Sequence, residues 1–159
     1  MSSSLVLRPA VGMRQYVGVP YVVALGVCDA LPQAGIAWPH DVVDAATGEL
    51  ICAVRTRGGY DDEGMFVQVE LGVGPEVHEA VRQRVELWAA QGSVAPLSSV
   101  LADYADKLVQ LNKDVRVCYP NGTVYAEGTF VGIDVWGRAT VRLVSGQDIE
   151  FPPEKFRLA

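Results

Sequence analysis

Residues 20–32, PYVVALGVCDALP, read as a helix and constrain the fold more than any other stretch of this chain. Pro20 suits the first turn of a helix, and Pro32 lies just past its end. Val22, Val23, Leu25, Gly26 and Leu31 leave almost no polar face. A helix that is apolar on nearly every side is stable only when other elements cover it, so the fold must be layered around this segment. Gly26, in its middle, marks a close approach by another backbone. The wider apolar stretch from Tyr16 to Leu31 is interrupted by Gly18, Pro20, Gly26 and Asp29. It is too short and too broken to span a bilayer.

The covering elements are also legible. Residues 4–9, SLVLRP, read as a strand that Pro9 ends. Residues 49–57 and 65–71 read as an antiparallel hairpin, joined by a turn-rich connector over Gly58–Gly64. Residues 76–91 form the clearest helix, with Val77, Val81, Val85 and Trp88 on one stripe and Gly92 at its C-terminal end. A second helix is predicted over 98–110, capped by Ser98 or Ser99, with Leu101, Tyr104, Leu108 and Val109 facing inward. From Asp114 onward the pattern changes to short strands at 114–119, 123–132, 138–144 and 147–151. Pro120-Asn121-Gly122, Trp136-Gly137 and Ser145-Gly146 supply the turns, a pattern that predicts a small barrel. The fold class is therefore α+β. Residues 1–111 form a sheet with helices, and residues 112–159 form the barrel.

Composition narrows the function classes. The 159 residues carry a formal net charge of −6, which disfavours nucleic acid and anionic membranes as partners. Cys28, Cys52 and Cys118 lie in apolar contexts without metal-ligand spacing, so they read as buried hydrophobes in a reducing compartment. The first residues carry no basic leader, and a cytoplasmic protein is expected. The mean hydropathy of +0.19 is high enough to anticipate an apolar surface covered by a partner.

Three segments together resemble the biotin protein ligases of the biotin/lipoate ligase superfamily. Trp38-Pro39-His40-Asp41 follows the apolar helix, where that family carries Lys-Trp-Pro-Asn-Asp. The GELICAV hairpin and a strand ending at Gly72 come next. The segment 112–158, with Gly128, Gly132-Ile133-Asp134, Gly137 and Gly146, has the rhythm of the family's SH3-like C-terminal domain. The resemblance implies a partial biotin/lipoate-ligase-like sheet followed by a small SH3-like β-barrel. It also implies that Asp41 lies near ATP phosphates and a Mg ion, and that His40, in place of asparagine, hydrogen-bonds a phosphate. The plainer reading makes Trp38 a core anchor and Pro39 a rigid turn, with His40 and Asp41 capping or solvating it. Arg55 and Arg57 alternate on one strand face, either as anion ligands or as solvated side chains. His78 reads as surface, and Trp136 as a packing or partner contact.

The departures from the family pattern are equally specific. SLVLRP matches the strand just after the family's biotin-binding Gly-Arg-rich loop, and no counterpart of that loop or its half-domain is found in the sequence. Glu49 or Leu50 stands where the family carries a catalytic lysine, and a carboxylate there would repel an acyl phosphate. Val69, Leu71 and Val73 occupy the places of a Gly-x-Gly-x-Asn strand. These features predict a ligase-like protein that works by ligand or protein binding, with a biotin carrier domain among its candidate partners. One alternative is the C-terminal subunit of a split biotin or lipoate ligase, which would use ATP, Mg and biotin once paired with a missing half. Another is a non-enzymatic homo-oligomeric module. Open strand edges predict self-association or a partner chain.

Overall fold

The computed structural model describes residues 1–92 and 94–159. Its elements, in order, are β1 (Ser3–Leu7), a 3-10 turn (Met13–Gly18), α1 (Val19–Ala30), β2 (Ala34–Ala37), β3 (Asp41–Asp44), β4 (Leu50–Cys52), β5 (Val54–Asp61) and β6 (Gly64–Leu71). A second 3-10 turn (Pro75–Val77) leads into α2 (His78–Ala90) and α3 (Leu101–Lys107). The remaining strands are β7 (Asp114–Cys118), β8 (Val124–Ile133), β9 (Ala139–Leu143), β10 (Asp148–Phe151) and β11 (Arg157–Leu158). They build three antiparallel sheets, ordered β1-β6-β5, β2-β3-β4 and β10-β9-β8-β7-β11.

α1 is the hub. Val19 and every residue from Tyr21 to Cys28 are buried. A Cβ on Gly26 would lie 2.6 Å from the Cα of Val81, so the two helices meet backbone to backbone at that point. The stripe Val77, Val81, Val85 and Trp88 is buried as its spacing predicts. Arg84 of α2 closes the rim, bonding Asp29 of α1 at 2.7 and 2.8 Å and Asp103 of α3 at 2.8 Å. Leu5, Leu7, Val54, Val67, Val69 and Leu71 form the inward face of the β1-β6-β5 sheet. All three cysteines are free and buried, and burial raises the Cys28 thiol to about 11.

Three local expectations change. The strand expected over 49–57 divides at Ala53, giving β4 to one sheet and β5 to another. The expected connector Gly58–Gly64 is mostly strand, because Gly59 pairs with Phe66 and the Phe66 ring lies where a Cβ on Gly59 would be. Only Asp62 and Glu63 remain as the turn. The helix expected over 98–110 shortens to α3, since Leu108 bridges to Ile36 and the Val109 N–H donates to the Ile36 carbonyl.

The C-terminal meander bears out the predicted turns, with Gly122, Gly137 and Gly146 all at positive φ. Irregular pairing between Phe130 and Gly132 bends β8. β11 returns to the outer edge of β7, and Phe156, just before it, meets Phe151 of β10 with ring centroids 5.0 Å apart. Side chains thus bridge the gap between the two edge strands. The buried core runs without interruption from the helices into this sheet. Among the described residues, no helix is long and apolar enough to cross a membrane.

Candidate functional site

The Trp38–Asp41 turn joins β2 to β3 and is held from three directions. Trp38 is only 2% exposed. Its indole N–H donates to the Gly137 carbonyl at 2.9 Å, and its backbone N–H to Gln110 Oε1 at 2.9 Å. Gln110 in turn donates to the Leu158 carbonyl at 2.9 Å. The Tyr104 hydroxyl donates to the Pro39 carbonyl at 2.5 Å. Tyr21 sets its ring edge-on to both His40 and Tyr104, with centroids 5.6 and 5.3 Å apart. Trp38 therefore fastens the β2-β3-β4 sheet to the C-terminal sheet, and Pro39 is held by α3.

His40 and Asp41 have a different environment. His40 Nδ1 is buried without a hydrogen-bond partner among the described residues. Burial, followed by the positive field of Arg157, lowers the His40 ring to about 4, so it is neutral near pH 7. Asp41 is half-buried, and desolvation raises its carboxyl, opposed by Arg157 and Arg55. Sequence reasoning did not single out Arg157. It lies in the last strand, and only the fold brings it to Asp41.

Arg55 and Arg57 project from the outward face of β5, across from Glu70 and Gln68 of β6. Arg57 donates to Gln68 Oε1 at 3.0 Å. Arg55 lines an open groove of about 540 Å³ with Ser2, Ser4, Ala53, Glu70 and Gly72. It also lines a smaller hollow of about 260 Å³ with Arg57, Gln68 and Glu70. Arg55 and Arg157 both act on the Asp41 carboxyl and Arg157 also on His40, while Arg157 Nη1 donates to the Pro153 and Phe156 carbonyls at 2.5 and 2.7 Å. Arg57 sits one step further along β5, and Trp38 lies beneath the surface. Two guanidinium groups and an adjoining groove suit a ligand bearing a carboxylate or phosphate.

The remaining candidates lie elsewhere. His78 is not a free surface group: its ring Nε2 is 2.9 Å from Ser3 Oγ. Trp136 packs under Arg14, whose guanidinium carbon is 5.5 Å from the ring centroid. Leu50 is 62% exposed and Glu49 is exposed beside it. Val69 and Leu71 point into the core, whereas Glu70 and Gly72 line the groove. No group of three or more His, Cys, Asp or Glu side chains able to hold a metal occurs among the described residues.

No protein-family model matches the sequence, and no curated protein matches it. Solved structures do match. The biotin protein ligase of Aquifex aeolicus without ligand superposes with a TM-score of 0.74 at 15% identity, over 99% of this chain and 81% of that one. The same enzyme in complex with biotin and ATP gives 0.72 at 17% identity, over 99% and 77%. A biotin acetyl coenzyme A carboxylase synthetase from Helicobacter pylori with bound biotinylated ATP gives 0.52 at 13% identity, over 94% and 74%. The fold is biotin protein ligase-like, with both the α+β sheet region and the C-terminal strands included in the match.

Proposed function

We propose that this chain is a biotin protein ligase-like binding protein of the cytoplasm that takes up an anionic ligand at Arg55 and Arg157 and does not complete a ligase reaction by itself. One observation carries the reading: the Trp-Pro frame is kept and fastened at both ends, while the reactive positions around it are altered. Glu49 and Leu50 are the candidates for the family's lysine position, and both are exposed rather than aimed by neighbouring groups. Glu70 adds a negative charge to the groove.

A Mg ion fits this set poorly. Asp41 is a single carboxylate beside two guanidinium groups, which repel a cation. It would hold the ion only together with phosphate oxygens from a nucleotide. The arginines suit the phosphates better than the metal, so the metal role of Asp41 depends on ATP binding first. A biotin carrier domain remains the proposed protein partner.

Calorimetry with biotin, a biotinyl-adenylate analogue and ATP with Mg tests the reading. Adenylate or nucleotide binding that weakens at least about tenfold in Arg55→Ala and in Arg157→Ala is the expected result. Tight biotin binding, or biotin-dependent ATP–pyrophosphate exchange by the chain alone, would overturn it. The free edge of β1 favours a second reading, in which a separate polypeptide supplies the biotin loop. Pyrophosphate exchange that appears only on mixing the two polypeptides would establish that reading.

A further inference from the structure

β11, which carries Arg157, is only two residues long. It pairs with β7 on one side only, Arg157 opposite Cys118 and Leu158 opposite Val117. Ala159 exchanges both of its backbone bonds with Arg116, at 2.8 and 2.9 Å. The bonded side alternates along an antiparallel ladder, so Leu158, one residue earlier, turns its carbonyl away from β7. A strand this short at a sheet edge frays unless its other side is also held. The Arg157 side chain does not supply that hold, because its Nη1 donates to the Pro153 and Phe156 carbonyls of its own segment.

Gln110 holds the free side. Its Nε2 donates to the Leu158 carbonyl at 2.9 Å, while its Oε1 accepts the Trp38 backbone N–H at 2.9 Å. A flipped amide would set donor against donor and acceptor against acceptor, so the two partners fix its orientation. The backbone around Gln110 is fixed as well. The Val109 N–H donates to the Ile36 carbonyl at 3.0 Å, and the Lys113 N–H donates to the Gln110 carbonyl at 3.1 Å. Among the described residues, no other side chain hydrogen-bonds to both the Trp38–Asp41 turn and β11.

We infer that Gln110 is a positioning residue for the anion site: it holds β11, and Arg157 with it, in register with the turn that carries His40 and Asp41. This rests on the reading of Arg55 and Arg157 as anion ligands and deepens it. An anion held by Arg157 and Arg55 favours the docked β11, and the docked β11 favours the anion by the same factor.

Pyrophosphate calorimetry and amide hydrogen exchange on the full chain test it. Gln110→Met keeps the length of the side chain and removes both bonds. It is expected to raise the pyrophosphate Kd at least about tenfold. It should also speed exchange of the Arg116 and Ala159 amides at least about tenfold and leave the β5–β6 hairpin amides unchanged. Gln110→Asn keeps the amide but is too short to span both partners. It should shift both readouts the same way, and it replaces the methionine variant if that one does not fold. In the parent, saturating pyrophosphate should slow exchange of the same two amides, which a side chain that merely satisfies backbone groups would not produce. A folded Gln110→Met that keeps the parent Kd, or that protects Arg116 and Ala159 as the parent does, overturns the inference. A parent that binds no pyrophosphate overturns the anion reading instead, and the exchange rates then decide the Gln110 contact by themselves.

Discussion

His40 shows how one residue can keep its frame and change its chemistry. A histidine that is neutral in the folded protein and free to protonate when unfolded couples folding to pH. Its folded value of about 4 lies below the ordinary 6.5, so the unfolded chain binds the extra proton between those values. The stabilisation is therefore complete above pH 6.5 and is lost as pH falls toward 4. The full displacement corresponds to roughly 3 kcal/mol. Asp41, whose carboxyl is raised by burial, acts in the opposite direction at the acid end and recovers part of that loss. Urea unfolding at a series of pH values should give a steep acid limb for the parent protein and a flatter one for His40→Asn; identical limbs would remove His40 from the account. The Tyr104 hydroxyl, buried against the Pro39 carbonyl, has a simpler role. Tyr104→Phe leaves that carbonyl without its donor and should lower unfolding free energy by about 1–2 kcal/mol, read from urea midpoints.

At the scale of elements, the sequence reading succeeded where one local property decided the outcome. The apolar continuity of residues 20–32 required a buried helix and the valine stripe of 77–88 a helix with one buried face, and each formed. Glycine was harder to read. Gly58 and Gly59 resemble loop residues in a single sequence, but across the turn they pair with Val67 and Phe66, and the Phe66 ring covers Gly59. The early end of α3 has a similar cause, since Leu108 and Val109 leave the helix to meet Ile36, more than seventy positions earlier in the chain. Gly26 was read correctly because its reason lay in the surrounding apolar run, and it gives a test with opposing terms. Alanine would add about 1 kcal/mol of helix propensity. Its Cβ would also lie 2.6 Å from backbone Cα of Val81, which no rotamer change can relieve. Overpacking of this kind costs about 1–3 kcal/mol or more and should prevail. Gly26→Ala is thus expected to lower the urea midpoint, and a raised midpoint would mean that α1 and α2 are not in backbone contact.

For the whole molecule, the candidate site depends on how three sheets are fastened together. Asp41 and Arg55 come from the region before Leu111, and Arg157 from the strand that closes the C-terminal sheet. The sequence showed the Trp38-Pro39 turn but not its receptor, because Gly137 and Leu158 are remote in the chain and carry no motif that points back to it. Gly137 is the centre of the joint: its carbonyl accepts the Trp38 indole and is 3.4 Å from the Tyr21 hydroxyl. It also sits at φ +86°, with the Tyr21 ring filling the space where a Cβ would be. Gly146 is a natural control, at φ +89° with nothing within 4 Å of its Cβ position. Alanine at either position incurs the same left-handed backbone penalty, about 1–2 kcal/mol. Gly137→Ala must in addition displace Tyr21 and loosen the Trp38 anchor, so it should cost at least about 1 kcal/mol more. Denaturant unfolding gives both values, and ligand calorimetry adds a second readout. Only Gly137→Ala should weaken anion binding, because only that change moves the C-terminal sheet, and Arg157 with it, relative to Asp41 and Arg55. Equal losses in the two variants would show that the sheets are joined elsewhere and that the charged region does not depend on this contact.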